Sequence, residues 1–265
     1  MARHPLVLVT GASTGIGAAL ARLFAADGHQ LALVARHAAG LSALADEIAA
    51  AGAPRPLVVP ADLCRGDSAG LVAAELAAKG FEPAVVVNNA GFGLVGAAGA
   101  LDRAEQLQMI DLNVRALTDF SLRFLPGVIR HRGGILNVAS VAGFLPGPGM
   151  AVYYATKAFV LSFSEALAQE LSGSGASVTV LCPGPVPTGF QARSGMSLAS
   201  IPSAMTMSAE AVAKAGYDGF NAGRRVVVPG ITNRLAAALV GLVPRRLLLP
   251  AMQRLQQQRG ADARR

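Results

Sequence analysis

Apolar residues in this chain gather into short runs, separated by longer alanine- and leucine-rich stretches with scattered charge. The runs Leu6–Thr10, Leu31–Ala35, Leu57–Pro60, Ala84–Asn88, Gly134–Ala139, Ser177–Cys182 and Val226–Pro229 are nearly continuous rather than alternating. Continuity of this kind suits strands buried on both faces, as in a parallel sheet covered by helices. The intervening stretches Ile16–Asp27, Leu41–Ala51 and Ser68–Lys79 read as helices. Each is followed by a glycine (Gly28, Gly52, Gly80) suited to a left-handed cap. Strand-helix alternation predicts a doubly wound α/β fold: a parallel, Rossmann-like sheet of about seven strands with helices on both faces.

Residues 1–232 read as one catalytic domain. The stretch Pro183–Ser208 breaks the pattern, with four prolines and three methionines. It follows the sixth strand, where ligands of doubly wound sheets sit, so a substrate lid is expected over about 185–208. Residues 233–265 read as a basic, apolar helical extension packed on the body or on a partner. Pro244 and Pro250 divide its apolar pieces, Leu235–Val243 and Leu247–Leu249, and two short helices with arginine edges fit the pattern. At the N-terminus Leu6–Val9 is too short for a signal-peptide core, and Leu235–Val243 is too short to span a bilayer, so a cytoplasmic protein, at most peripheral at a membrane, is expected.

The net charge of +7 suggests nucleic acid until it is located. Residues 224–265 hold nine arginines against Asp262 alone, giving +8. The first 223 residues hold 14 basic and 15 acidic side chains and are close to neutral. The arginines lack interleaved aromatics and no nucleic-acid module is recognisable, so no nucleic acid is expected. Cys64 and Cys182 match no metal or disulfide framework. His4, His29, His37 and His131 are dispersed and read as surface residues, so no metal is proposed.

The first strand runs into Thr10-Gly11-Ala12-Ser13-Thr14-Gly15-Ile16-Gly17 and then a helix. A glycine-rich turn opening a helix lets backbone N–H groups and the helix dipole meet a pyrophosphate. A tight β–α turn without a ligand is the plainer alternative. Where an acidic side chain would bind a ribose 2′-hydroxyl, the chain has Arg36, with no carboxylate nearby. An arginine there suits a 2′-phosphate and favours NADP(H) over NAD(H), although Thr14 stands where a second basic residue would reinforce it.

Tyr153 and Lys157 lie four apart on one expected helix face. An ammonium beside a phenol is expected to lower the phenol pKa and make a proton donor and acceptor usable near neutral pH. Tyr154 has Ala158 as its i+4 neighbour and is excluded by the same geometry. Ser140, thirteen residues before Tyr153 at the end of a central strand, is placed to polarise a carbonyl.

Taken in order, the TGASTGIG turn, Asp62, Asn88-Asn89-Ala90-Gly91, Asn113, Ser140-Val141-Ala142-Gly143, the YYATK segment and Pro183-Gly184 resemble the short-chain dehydrogenase/reductase family over essentially the whole length. The resemblance implies catalytic roles for Ser140, Tyr153 and Lys157, and a water-holding role in the proton relay for Asn113. It implies that Asp62 and Asn89 contact or frame the cofactor, that Lys157 also binds the nicotinamide ribose, and that Thr188 contacts the carboxamide side. With the turn, the expected cofactor set is Gly11, Ser13, Thr14, Gly15, Ile16, Gly17, Arg36, Asp62, Leu63, Asn89, Ala90, Gly91, Tyr153, Lys157, Pro183, Gly184, Val186 and Thr188. A serine often precedes the catalytic one in the family, and here it is Ala139. Read without the resemblance, Asn88 and Asn89 also fit caps at a strand end, and Asn113 a buried polar residue satisfied by backbone.

Together these readings predict an oxidoreductase moving hydride between NADP(H) and an apolar carbonyl or secondary alcohol. The expected walls, Phe144-Leu145-Pro146 through Met150 with Phe190, Met196, Leu198 and Ile201, are apolar. A non-catalytic nucleotide sensor or scaffold on the same fold is the alternative, and such a protein is expected to have lost the tyrosine or the lysine. Family members often assemble as homo-oligomers, one reading of the tail. A peripheral membrane contact through the tail arginines is the other.

Overall fold

In the computed structural model of the chain, residues 3–196 and 202–262 are described; of Ala192, Leu255 and residues 257–262 only the backbone is. Seven strands form one parallel sheet: β1 (His4–Thr10), β2 (Leu31–Ala35), β3 (Leu57–Pro60), β4 (Phe81–Asn88), β5 (Gly134–Val138), β6 (Ser177–Leu181) and β7 (Val226–Val227). Their order is β3-β2-β1-β4-β5-β6-β7. The chain therefore reverses direction of travel across the sheet between β1 and β4, and a crevice opens there beyond the strands' carboxyl ends. The helices preceding the site are α1 (Gly15–Ala26), α2 (Ala38–Ala50), α3 (Ser68–Ala78), α4 (Arg103–Ile110) and α5 (Leu117–Arg130). After them come α6 (Ala151–Glu170), α7 (Gly189–Ser194), α8 (Ala209–Asn221), α9 (Ile231–Val240) and α10 (Arg245–Asp262).

The unbroken apolar character of β1 has a direct cause. Successive side chains point to opposite faces, and both faces are covered. Val7 and Val9 pack with Leu20 and Phe24 of α1 and Phe220 of α8. Leu6 and Leu8 pack on the other face with Leu76 of α3 and with Phe120 and Phe124 of α5. The expected glycines follow α1, α2 and α3 with φ of 82°, 90° and 79° at Gly28, Gly52 and Gly80.

Three details differ from the sequence reading. Strand β7 stops at Val227 because it pairs with β6 only through Val180–Val226 and Leu181–Val227, before Pro229 turns the chain. Helix α10 continues through Pro250, an exposed position where the carbonyl left without a donor is open to solvent rather than buried. His131 is half-buried, its Nε2 3.2 Å from Glu82 Oε2, so it is not a surface residue. The stretch expected as a lid holds α7 and a 3-10 turn at Ser203–Met205; Leu198 and Ile201 lie outside the described residues. Both cysteines are free thiols.

One buried polar chain crosses the apolar centre. Asn88 Nδ2 donates to Ser121 Oγ and to Asn137 Oδ1, each at 2.9 Å, and Asn137 Nδ2 donates to Ser164 Oγ at 2.9 Å. The two serine hydroxyls donate in turn to Leu117 O and Val160 O. Asn88 is thus no strand-end cap: it ties β4 to β5 and to α5. Asn137→Ala removes two of these bonds in a dry environment. It should lower unfolding free energy by about 1–3 kcal/mol, read from the urea midpoint at unchanged slope. An unchanged midpoint would mean that the network contributes nothing to stability.

Candidate active site

The site begins where β1 becomes α1. Gly11 and Gly15 have φ of 63° and 59°, which side-chain-bearing residues rarely adopt. Gly17 is needed for space, since a Cβ there would lie 2.4 Å from Asn89 Nδ2 and from Gly11 O. Asn89 Nδ2 donates to Thr10 O and Gly11 O at 3.0 Å, while Thr10 Oγ1 accepts from Asn89 N and Ala90 N. The β4 terminus therefore fixes the shape of the turn. No side chain caps α1 at Thr14, and its first turn carries no acidic residue. Its N–H groups at the positive end of the helix dipole are left for an external anion.

From this turn a cavity of about 660 Å³ runs along the carboxyl ends of the strands. At one end it is lined by Arg36, Asp62, Leu63 and Cys64, beside Ser13, Thr14 and Ile16 of the turn. Asp62 Oδ1 accepts from Cys64 N at 3.1 Å, which shapes the loop after β3. Asn89, Ala90 and Gly91 line the middle, and Pro183, Gly184, Val186 and Thr188 the far wall. Thr188 caps α7 in a reciprocal capping box with Gln191, and its methyl packs against Gly15. All the residues expected to bind cofactor thus line or shape this one cavity; Gly17 acts by its lack of a side chain.

Opposite Thr188 stand the residues expected to do chemistry. Ser140 follows β5 in extended backbone and opens a 3-10 turn, Val141–Phe144. Its Oγ accepts from Ala142 N at 3.1 Å and donates to Pro183 O at 3.4 Å. Tyr153 and Lys157 project from the first turns of α6. Lys157 is 5% exposed, donates from Nζ to Val138 O at 2.9 Å, and sits 5.8 Å from the centre of the Tyr153 ring. Tyr154 also lines the cavity, but its hydroxyl accepts a 2.9 Å hydrogen bond from Gln256 Nε2 of α10.

The electrostatics depart from the sequence expectation. Burial pushes the Tyr153 phenol well above its ordinary value, opposed by a hydrogen bond with Ser140. Burial brings Lys157 down to about 8, against the pull of the neighbouring Cys182. In the protein alone, then, burial outweighs the lysine at the phenol. Its ammonium is spent on the Val138 carbonyl and faces the ring rather than the hydroxyl, so desolvation dominates.

Asn113 lies in a single π-helical segment, Asp111–Ala116, between α4 and α5, rather than in an ordinary helix. Its Oδ1 accepts from Phe92 N at 3.1 Å, and its Nδ2 donates to Phe92 O at 2.9 Å and to Thr156 Oγ1 at 3.1 Å. Thr156 Oγ1 donates onward to Tyr153 O at 2.7 Å. Asn113 therefore joins the loop after β4 to α6, which carries Tyr153 and Lys157, with Thr156 as a link the sequence reading missed. Such π segments recur at functional sites.

The far end of the cavity is apolar, with Leu145, Met150, Phe190, Met196 and Met205. Phe144 and Pro146, expected there, are not among its lining residues. The sequence reading also missed Ala236, Ala237 and Val240 of α9, and Leu248 and Met252 of α10, which complete the wall. Their spacing of three and four was the available signal. Helix α9 starts two residues before the expected extension, at Ile231.

A model of the short chain dehydrogenase family matches residues 5–198. The sulfoacetaldehyde reductase of Chromohalobacter salexigens is 38% identical over 187 residues, covering 69% of this chain and 73% of the relative. A short-chain dehydrogenase from Sphingobium yanoikuyae, solved in complex with NADPH, superposes with a TM-score of 0.78 at 34% identity, covering 90% of this chain and 95% of that one. The bulky-bulky ketone specific alcohol dehydrogenase of Comamonas testosteroni superposes at 0.75 with 30% identity, covering 91% and 94%. Both structural matches cover more of the chain than the family model does. Sequence, strand order and fold agree, and the chain belongs to the short-chain dehydrogenase/reductase family of oxidoreductases.

Proposed function

We propose that the protein transfers hydride between NADP(H) and a bulky apolar ketone or secondary alcohol. The carrying observation is that Ser140, Tyr153 and Lys157 share one wall of a cavity whose other end is lined by the uncapped α1 turn and Arg36. Residues at that end fit the cofactor: free helix N–H groups and small residues for the pyrophosphate, and Arg36 for a 2′-phosphate. NADPH bound to the relative from Sphingobium yanoikuyae supports this choice. The nicotinamide, when bound, supplies or accepts the hydride.

This chain's own residues handle the proton. In the reductive direction the Tyr153 hydroxyl gives its proton to the carbonyl oxygen, which leaves as alcohol. Ser140 donates a hydrogen bond to the same oxygen and stabilises the developing negative charge. Protonated Lys157 stabilises the phenolate left behind, and Asn113 with Thr156 holds the helix that carries both. The apolar wall from Met150 to Met252 favours large apolar substrates over sugars, as does the ketone preference named for the Comamonas testosteroni relative. A nucleotide sensor is expected to have lost the tyrosine or the lysine, and this chain keeps both.

Three outcomes test the proposal. Tyr153→Phe should cut kcat by roughly 10²–10⁴-fold while NADPH affinity, followed by nicotinamide fluorescence, stays nearly constant; full turnover by the folded variant would refute the assignment. Wild-type kcat/KM should favour NADPH over NADH, and Arg36→Asp should shift that preference by roughly 2–3 kcal/mol. Equal use of both cofactors by the wild type contradicts the role of Arg36. The cofactor kcat/KM, which reports the free enzyme, needs the charged lysine. Since Lys157 is held near 8, it is charged below that pH, and kcat/KM should fall as pH rises through it.

A further inference from the structure

Helices α9 and α10 are apolar on two opposite sides. On the inner side of α9, Asn233, Ala236, Ala237 and Val240 recur at steps of three and four and line the cavity. On its outer side Ile231, Leu235 and Leu239, continued by Leu242, recur at steps of four, four and three and are exposed, Ile231 by 76% and Leu242 by 79%. On α10, Leu248 and Met252 line the cavity while Leu247 faces outward, 62% exposed. A helix apolar all round is one covered on all sides, and among the described residues nothing of this chain covers the outer side.

Charge identifies what does. Arg234, Arg245, Arg246 and Arg254 are exposed on the same helices. Between Asp218 and Asp262 the chain has seven arginines and no acidic residue. A second copy meeting this face across a two-fold axis would set arginine against arginine. An anionic bilayer surface offers the complement: hydrocarbon for the leucines and phosphate for the guanidinium groups, reached by arginine stems lying along the apolar surface. Among the described residues no helix is long and apolar enough to cross a membrane.

We infer that the outer face of α9 and α10 docks on an anionic lipid surface, with the two helices lying in the interface. The apolar end of the cavity then opens beside the lipid, since the same helices form its wall. This surface is independent of the hydride chemistry and can fail without it.

The test is flotation of the full-length protein with phosphatidylcholine vesicles, with and without phosphatidylglycerol. Binding to the anionic vesicles at low ionic strength, lost at high ionic strength and weak on pure phosphatidylcholine, is expected. R245Q/R246Q should weaken partitioning roughly 30-fold, at about 1 kcal/mol of surface attraction per arginine, with turnover of a water-soluble ketone unchanged. L239D/L242D should abolish flotation without altering the sedimentation coefficient. No flotation at low salt, or equal binding to neutral vesicles, overturns the inference. So does L239D/L242D splitting a larger assembly into smaller ones, which would put a second copy on this face.

Discussion

A charged amine at the end of Lys157, almost closed off from water, is the constraint around which the site is built. Burying an ammonium is costly unless it is hydrogen-bonded, and here the Val138 carbonyl at the end of β5 accepts it. That carbonyl is available because β5 ends there and the chain turns through Ser140 into a 3-10 segment. The turn must then lie against α6, and a Cβ at Gly143 would fall 2.8 Å from Lys157 O, closer than atoms pack. One buried cation thus links the end of a central strand, the serine that follows it and the register of the tyrosine-bearing helix.

Much of this was legible because it follows from local chemistry. Strand β1 reads as continuous apolar sequence since α1 and α8 cover one face and α3 and α5 the other. The glycine turn, Asn89 and the four-residue step from Tyr153 to Lys157 are likewise visible as spacing. Other features have no one-dimensional signature. The π segment around Asn113 is a matter of one extra residue within a turn, and the partners Asn113 finds there, Phe92 and Thr156, are distant in sequence. The direction of the Tyr153 shift depends on how dry the cavity is and where the lysine points, and neither can be counted along a chain. Asn137 and Ser164 look like ordinary strand and helix residues until their hydrogen bonds are seen.

The C-terminal helices were legible only in part. Their arginines and leucines stand out in the sequence, but an apolar residue at one position looks the same whether it faces a cavity or the outside. The fold separates them: Val240, Leu248 and Met252 reach the site, while Leu235, Leu239 and Leu242 do not. Part of the apolar end of the cavity is therefore lined by helices that lie beyond the family model.

That proton and hydride meet one substrate at this wall is tested most directly by isotope transfer. Incubation with NADPH carrying deuterium at the nicotinamide C4 and a bulky apolar ketone, followed by NMR of the product, reads the reaction itself. The predicted result is an alcohol with one deuterium on its carbinol carbon, formed by the wild type and greatly slowed in Tyr153→Phe. Ketones that bind and protect the protein yet return unlabelled would contradict it, and would leave a nucleotide-binding fold without this chemistry.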